Sequence, residues 1–107
     1  MRQIMNEQDA EALFSAELAL LYKHSRTCSI CTTALGEVKA YLRTHPGVTT
    51  YCVDVLAQRP LSQQIAARSG VEHESPQVIL FRHGTPVWSA SHFDITADAL
   101  AHNIPAD

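Results

Sequence analysis

Residues 18–56 constrain the fold more than any other part of the chain. An apolar run, "LALLYK" at 18–23, leads into "HSRTCSIC" at 24–31, and a β-rich run, "VTTYCVDVL", follows at 48–56. The first run is short, and its length and position suit a buried strand. Cys31, Leu35, Val38 and Leu42 then fall at i, i+4, i+7 and i+11, which is one face of a helix. Thr27 is read as the N-cap, which puts Cys28 at the first helical position. Pro46 and Gly47 stop this helix. β-branched and aromatic residues make 48–56 a strand. Strand, helix and strand in succession demand a parallel pair with a right-handed crossover.

The flanking segments complete an α/β pattern. Residues 6–15, "NEQDAEALFS", form an extra N-terminal helix, with Asn6 or Asp9 as cap and Ala12, Leu13 and Phe14 as apolar contacts. Pro60 opens a further helix, "PLSQQIAARS", with Leu61 and Ile65 as its buried face. Gly70 ends it, with Val71 as apolar partner. Residues 77–82 and 86–91 read as a hairpin through "RHGT". Thr96 caps a last helix, "TADALAHN", ended by Pro105. The economical arrangement is a four-stranded mixed sheet, β-α-β then β-β-α, with helices on both faces.

Size and charge narrow the function classes. The 107 residues, of which 46% are hydrophobic, suit one domain spanning 1–107 with a substantial core. A net charge of −3 leaves no basic footprint for nucleic acid, and lysines and arginines are too scattered for a membrane patch. The opening "MRQIMNEQDAEALF" has no signal-peptide core. No run approaches the roughly 18 apolar residues of a membrane helix. A cytoplasmic monomer without cofactor is the expectation. Thiols there are kept reduced, and an odd count of three cysteines fits a disulfide framework poorly.

The Cys28–Cys31 pair therefore reads as chemistry. A thiol attacks a disulfide only as thiolate, and a free cysteine has a pKa of about 8.5. A helix N-terminus favours the anion through its unsatisfied N–H groups and dipole. Cys28 sits there, at the carboxyl end of a strand, where open α/β sheets place ligand sites. Cys31 is about one turn further along, on the apolar face, within reach of Cys28. Cys28 attacks and Cys31 resolves. Two rivals stand beside this. In one the pair is inert and small. In the other it is half of a zinc site, with further ligands drawn from Cys52, His24, His73 and His92. Cys52, in a central strand, reads as a buried small hydrophobe. His24 either polarises a thiolate or is a solvated strand-end histidine. Arg26 either adds charge beside Cys28 or faces water. His73, His83 and His92 fall at loop or strand ends, and Trp88 at core or rim. Pro76 belongs at the start of the strand containing "VILF". Cis X–Pro bonds are a minority, so the residues alone give a trans Ser75–Pro76 bond.

"SGVEHESPQVILFRHGTPV", together with "CSIC" at a strand end, resembles the second half of a thioredoxin-type domain. That resemblance implies a cis Pro76 in a loop facing the cysteines, with Ser75 beside it. It also implies that Ser75 and Pro76 shape a substrate groove. A closer likeness runs from about residue 20 to residue 96. "YKHSRTC", "VDVLAQRPLSQQIAARSGVEHESPQVIL" and "WSASHFDIT" are similar to the monothiol bacilliredoxins, the YtxJ-type proteins of the bacillithiol system. The resemblance implies that Cys28 removes a low-molecular-weight thiol from protein mixed disulfides. Its partners would be that thiol and protein thiols.

The chain departs from the family at the motif itself. The family reads Thr-Cys-Pro-Ile-Ser, whereas here the run is Thr27-Cys28-Ser29-Ile30-Cys31. A serine cannot resolve a mixed disulfide, and a cysteine can. A dithiol cycle closing Cys28–Cys31 is thus a second route beside the monothiol one. A non-catalytic thioredoxin-like adaptor remains the rival from another class, distinguished by an unreactive Cys28.

Overall fold

A computed structural model describes residues 1–105. The elements are β1 (Arg2–Gln3), α1 (Glu7–Ser15), β2 (Leu18–His24), α2 (Ser29–Thr44), β3 (Thr50–Asp54), α3 (Arg59–Ser69), β4 (Gln77–Arg82), β5 (Thr85–Ser91) and α4 (Ala97–Asn103). A short 3-10 turn, His92–Asp94, joins β5 to α4.

The sheet has five strands, not four, in the order β1-β3-β2-β4-β5. β2 and β3 pair in parallel, as the β-α-β reading requires, and β4 pairs antiparallel with both β2 and β5. The added strand is β1, which runs parallel to β3 through Arg2↔Tyr51 and Gln3↔Cys52. Two polar residues carry no alternation, so the pattern did not reveal it. Ile4 anchors it. Its N–H donates to the Cys52 carbonyl at 2.8 Å, and its side chain is buried.

Side-chain alternation along β2 divides the core between the two faces. Ala19 and Leu21 join Leu13, Phe14, Leu61, Ile65 and Phe81 under α1 and α3. Leu20 and Tyr22 join Ala34, Val38, Tyr41 and Leu100 under α2 and α4. Ala19 through Lys23 have no exposed surface at all, so β2 is the spine of the molecule. On α2 the buried face is Cys31, Ala34, Val38 and Tyr41. Leu35 and Leu42, expected inside, are only half-buried, because the Tyr41 ring takes the inward position one residue before Leu42.

Local signals hold the ends. Asn6 accepts from the Asp9 N–H at 2.9 Å, and the Asp9 carboxylate accepts from the Met5 N–H at 2.8 Å, a reciprocal cap. Thr96 caps α4 by accepting from the Ala99 N–H at 3.0 Å. Gly70 ends α3 at φ 74°. The hairpin turns on His83 and Gly84, both at positive φ, as a two-residue primed turn demands.

Gly84 is fixed twice over. Its φ is 77°, and a Cβ there would stand 2.6 Å from the Phe14 carbonyl oxygen. Gly84→Ala should therefore cost about 2 kcal/mol in urea unfolding. Gly36, exposed in α2 with nothing within 4 Å of a built Cβ, is the control. Gly36→Ala should gain up to about 1 kcal/mol. Equal effects of the two substitutions would contradict this account of the turn.

Candidate active site

The site grows from the junction of β2 and α2. Ser25 is buried just past the end of β2, and its carbonyl accepts from the Cys28 N–H at 3.4 Å. Thr27 does not cap the helix, as its hydroxyl is engaged with Ser25 Oγ at 3.1 Å. Cys28 is the N-cap residue itself, extended at φ −107° and ψ 121°, with α2 beginning at Ser29. No side-chain oxygen caps this helix. Its first-turn N–H groups are left to the sulfur. The Cys31 N–H, and then the Ile30 N–H, hold the Cys28 thiol below the usual cysteine range against a smaller opposing cost of burial. The Cys31 thiol adds a hydrogen bond in the same direction.

Cys31 is the opposite case. It is fully buried, and burial pushes its thiol up. The Ser25 N–H donates to its sulfur at 3.4 Å, and Ser75 Oγ lies 3.8 Å away. The hydrogen bond and charge shared with Cys28 add to the rise. One partly exposed, acidified thiol thus stands above one buried thiol that keeps its proton. The Ser75–Pro76 peptide bond is cis, and the Pro76 carbonyl accepts from the His92 N–H at 3.1 Å. Glu74, one residue before Ser75, pairs with His92 at 3.2 Å.

His24 meets the cysteine pair through Tyr22. Its Nδ1 is 2.8 Å from the Tyr22 hydroxyl, which donates to the Cys31 carbonyl at 3.0 Å. With that proton committed, His24 Nδ1 must be the donor in its own contact. His24, Arg26, Lys39, Cys52 and Asp54 line a cleft of about 430 Å³ on the α2 side of the sheet. Arg26 is bound there to Asp54 at 3.1 Å. Asp54 in turn accepts from the Leu56 and Ala57 N–H groups at 3.0 and 2.9 Å. Cys52 is buried, and burial raises its thiol. Among the described residues, no three His, Cys, Asp or Glu side chains gather closely enough to hold a metal ion.

A model of the family described as monothiol bacilliredoxin BrxC matches residues 2–100. The chain belongs to the monothiol bacilliredoxin family. Solved structures agree on the fold. A candidate oxidoreductase with a thioredoxin fold is 30% identical, with 94% of this chain and 90% of that one covered and a TM-score of 0.86. Fasciola hepatica thioredoxin is 20% identical, with 97% and 96% covered and a TM-score of 0.76. Plasmodium falciparum thioredoxin is 14% identical, with 95% and 94% covered and a TM-score of 0.76. The fold of this bacilliredoxin is thioredoxin-like, and family and fold together support a thiol–disulfide redox role.

Lys23 closes the apolar run, where no local pattern marks it as a residue of the site, yet it is fully buried, with Nζ 3.2 Å from His73 Nδ1. Burial lowers its pKa to about 8. Tyr22 was likewise read only as part of the run, and its contact with the Cys31 carbonyl has no sequence signal.

Two measurements follow from this electrostatics. Rapid alkylation across pH should show Cys28 reacting with a midpoint below that of a free thiol, while Cys31 stays protected in the folded protein. A midpoint for Cys28 at or above about 8.5 would contradict the helix-start account. Lys23 has a folded pKa below its unfolded value, so the folded state binds fewer protons between them. The cost of the buried ammonium is full below about pH 8 and is relieved as pH rises toward the ordinary lysine value of 10.5. The stability of the wild type relative to Lys23→Met should thus rise over that window; a flat difference would place Lys23 in contact with water.

Proposed function

We propose that this protein removes a low-molecular-weight thiol of the bacillithiol type from protein mixed disulfides in a reducing cytosol. The observation that carries the reading is the pairing of a partly exposed, acidified Cys28 with a buried, proton-holding Cys31 one helical turn away. The Cys28 thiolate attacks the small thiol's sulfur in the mixed disulfide. A Cys28–small-thiol disulfide forms, and the substrate protein leaves as its thiolate, which takes a proton from water. Cys31 then attacks the Cys28 sulfur, its proton passing through solvent to the departing small thiolate. The small thiolate departs, and a Cys28–Cys31 disulfide remains for an external dithiol reductant. A second molecule of the small thiol can instead release the adduct directly, which is the monothiol route.

The burial of Cys31 supports this division of labour, since it offers a substrate sulfur no exposed surface. Burial also keeps the second thiol neutral until a disulfide at Cys28 removes the neighbouring negative charge. Ser75 Oγ, beside the Cys31 sulfur, is placed to hydrogen-bond the thiolate as it forms. On this reading Ser75 and Pro76 shape the path by which a substrate backbone approaches Cys28.

Cys28→Ser should abolish release of the small thiol, and turnover retained by that variant would sink the assignment. Cys31→Ser should accumulate a stable adduct on Cys28, visible by intact mass. The wild type should lose about two mass units on brief oxidation, mapped to Cys28–Cys31. If Cys31→Ser changes neither adduct lifetime nor turnover, the dithiol branch is wrong.

A further inference from the structure

Five large apolar side chains are exposed among the described residues, and Phe93 is the most exposed of them at 71%. Single exposed apolar residues are common and need no account by themselves. Phe93 differs in how it is held. It is the middle residue of the 3-10 turn His92–Asp94 between β5 and α4. The His92 N–H ties this turn to the Pro76 carbonyl at 3.1 Å, and His92 Nδ1 lies 3.2 Å from a Glu74 carboxylate oxygen. The Ile95 N–H closes the turn onto the His92 carbonyl at 3.3 Å, and the Ile95 side chain is buried. The Ala97 N–H then donates to the Glu37 carboxylate of α2 at 2.9 Å. His92 holds this shape at φ 53°, in the left-handed region. The other non-glycine residue there among the described ones, His83, belongs to a hairpin turn that demands it. No hairpin demands it of His92, and the conformation costs stability that the surrounding bonds must offset.

The fold thus maintains a strained, well-tied turn that holds an aromatic ring in water. The turn adjoins the candidate site. Ser75 precedes Pro76, Ser75 Oγ is 3.8 Å from the Cys31 sulfur, and His92 binds the Pro76 carbonyl. β5 and β2 both end here, paired with the start of β4 through Gln77↔Ser91 and Lys23↔Gln77. One ring offers about 200 Å² of contact. A stable complex needs about 800 Å² from each partner. The ring therefore suits a brief contact, held meanwhile by the exchanging disulfide, better than a second copy of the chain. The small thiol is common to every mixed disulfide of its kind, so contact with it cannot tell protein substrates apart. Contact with the chain that flanks the modified cysteine can. We propose that Phe93 is a specificity-determining contact for the protein substrate, its ring packing against an apolar side chain next to the modified cysteine. The proposal rests on the reading of Cys28 as the nucleophile toward protein mixed disulfides. It adds a preference for cysteines with apolar neighbours, and it makes His92 and Glu74 positioning residues for the ring.

The test uses two bacillithiol-modified peptides, one with leucines flanking its cysteine and one with serines there. Bacillithiol disulfide is the third substrate, and a dithiol reductant is in excess throughout. Wild type should show a kcat/KM about tenfold higher for the leucine peptide, which corresponds to burial of about 55 Å² of apolar surface. Phe93→Ala should remove the preference by raising KM for the leucine peptide about tenfold. Its kcat, the serine peptide and the small disulfide should be unchanged. Phe93→Leu should restore much of the preference. Val87→Ala, which trims another exposed apolar side chain of β5, should change nothing. Equal losses on all three substrates, no loss at all, or a like loss from Val87→Ala would overturn the contact. Self-association of the wild type that Phe93→Ala abolishes in sedimentation would give the ring to a second copy instead. A binding arm uses Cys28→Ser, titrated with the leucine peptide carrying serine for its cysteine and followed by amide NMR. Shifts around Phe93 are expected, and they should vanish when Phe93→Ala is added. If wild type turns over none of the three disulfides while those shifts persist, the redox reading fails and the contact stands.

Discussion

A helix that begins without a cap oxygen is the constraint on which this molecule turns. Four N–H groups at the start of any helix lack internal partners. α1 and α4 satisfy theirs with Asn6 and Thr96. α2 has Cys28 at the corresponding place, so a sulfur is the nearest acceptor, and it accepts best as an anion. The arrangement works only because β2 delivers the chain rigidly to that point. β2 is buried on both faces and paired on both edges, and Ser25 holds both cysteines with its backbone.

The same junction makes the two thiols unlike. Cys28 sits outside the first turn, near water, and Cys31 sits inside it, against Tyr22 and Ser75. Three residues of helix separate a reactive sulfur from a protected one. The motif here carries Ser29 and Cys31, with α2 beginning directly after Cys28. It places a second sulfur at a position that the fold already buries.

Much of this was legible in the residues. Apolar and β-branched runs with one helical face gave the β-α-β unit, the "RHGT" turn gave the hairpin, and Thr96 and Pro105 gave the terminal helix. The cysteine pair announced itself through its strand–helix context. What escaped has common physical causes. β1 is too short to show a period. The cap fell one residue later than expected because Thr27 prefers the Ser25 hydroxyl. Lys23 and Ser62 are polar residues that tertiary packing buries, and no local pattern announces such burial. The residues hardest to read are thus those under the loops that surround the cysteines.

The two borders of the sheet carry a consequence of their own. On one side stands β1, two residues long. On the other stands β5, where Pro86 offers no N–H and the register slips between Leu80↔Trp88 and Phe81↔Pro86, leaving Val87 unmatched. Short borders, a missing donor and a bulge all make poor templates for an incoming strand. Neither flank of the sheet therefore invites edge-to-edge stacking into fibrils.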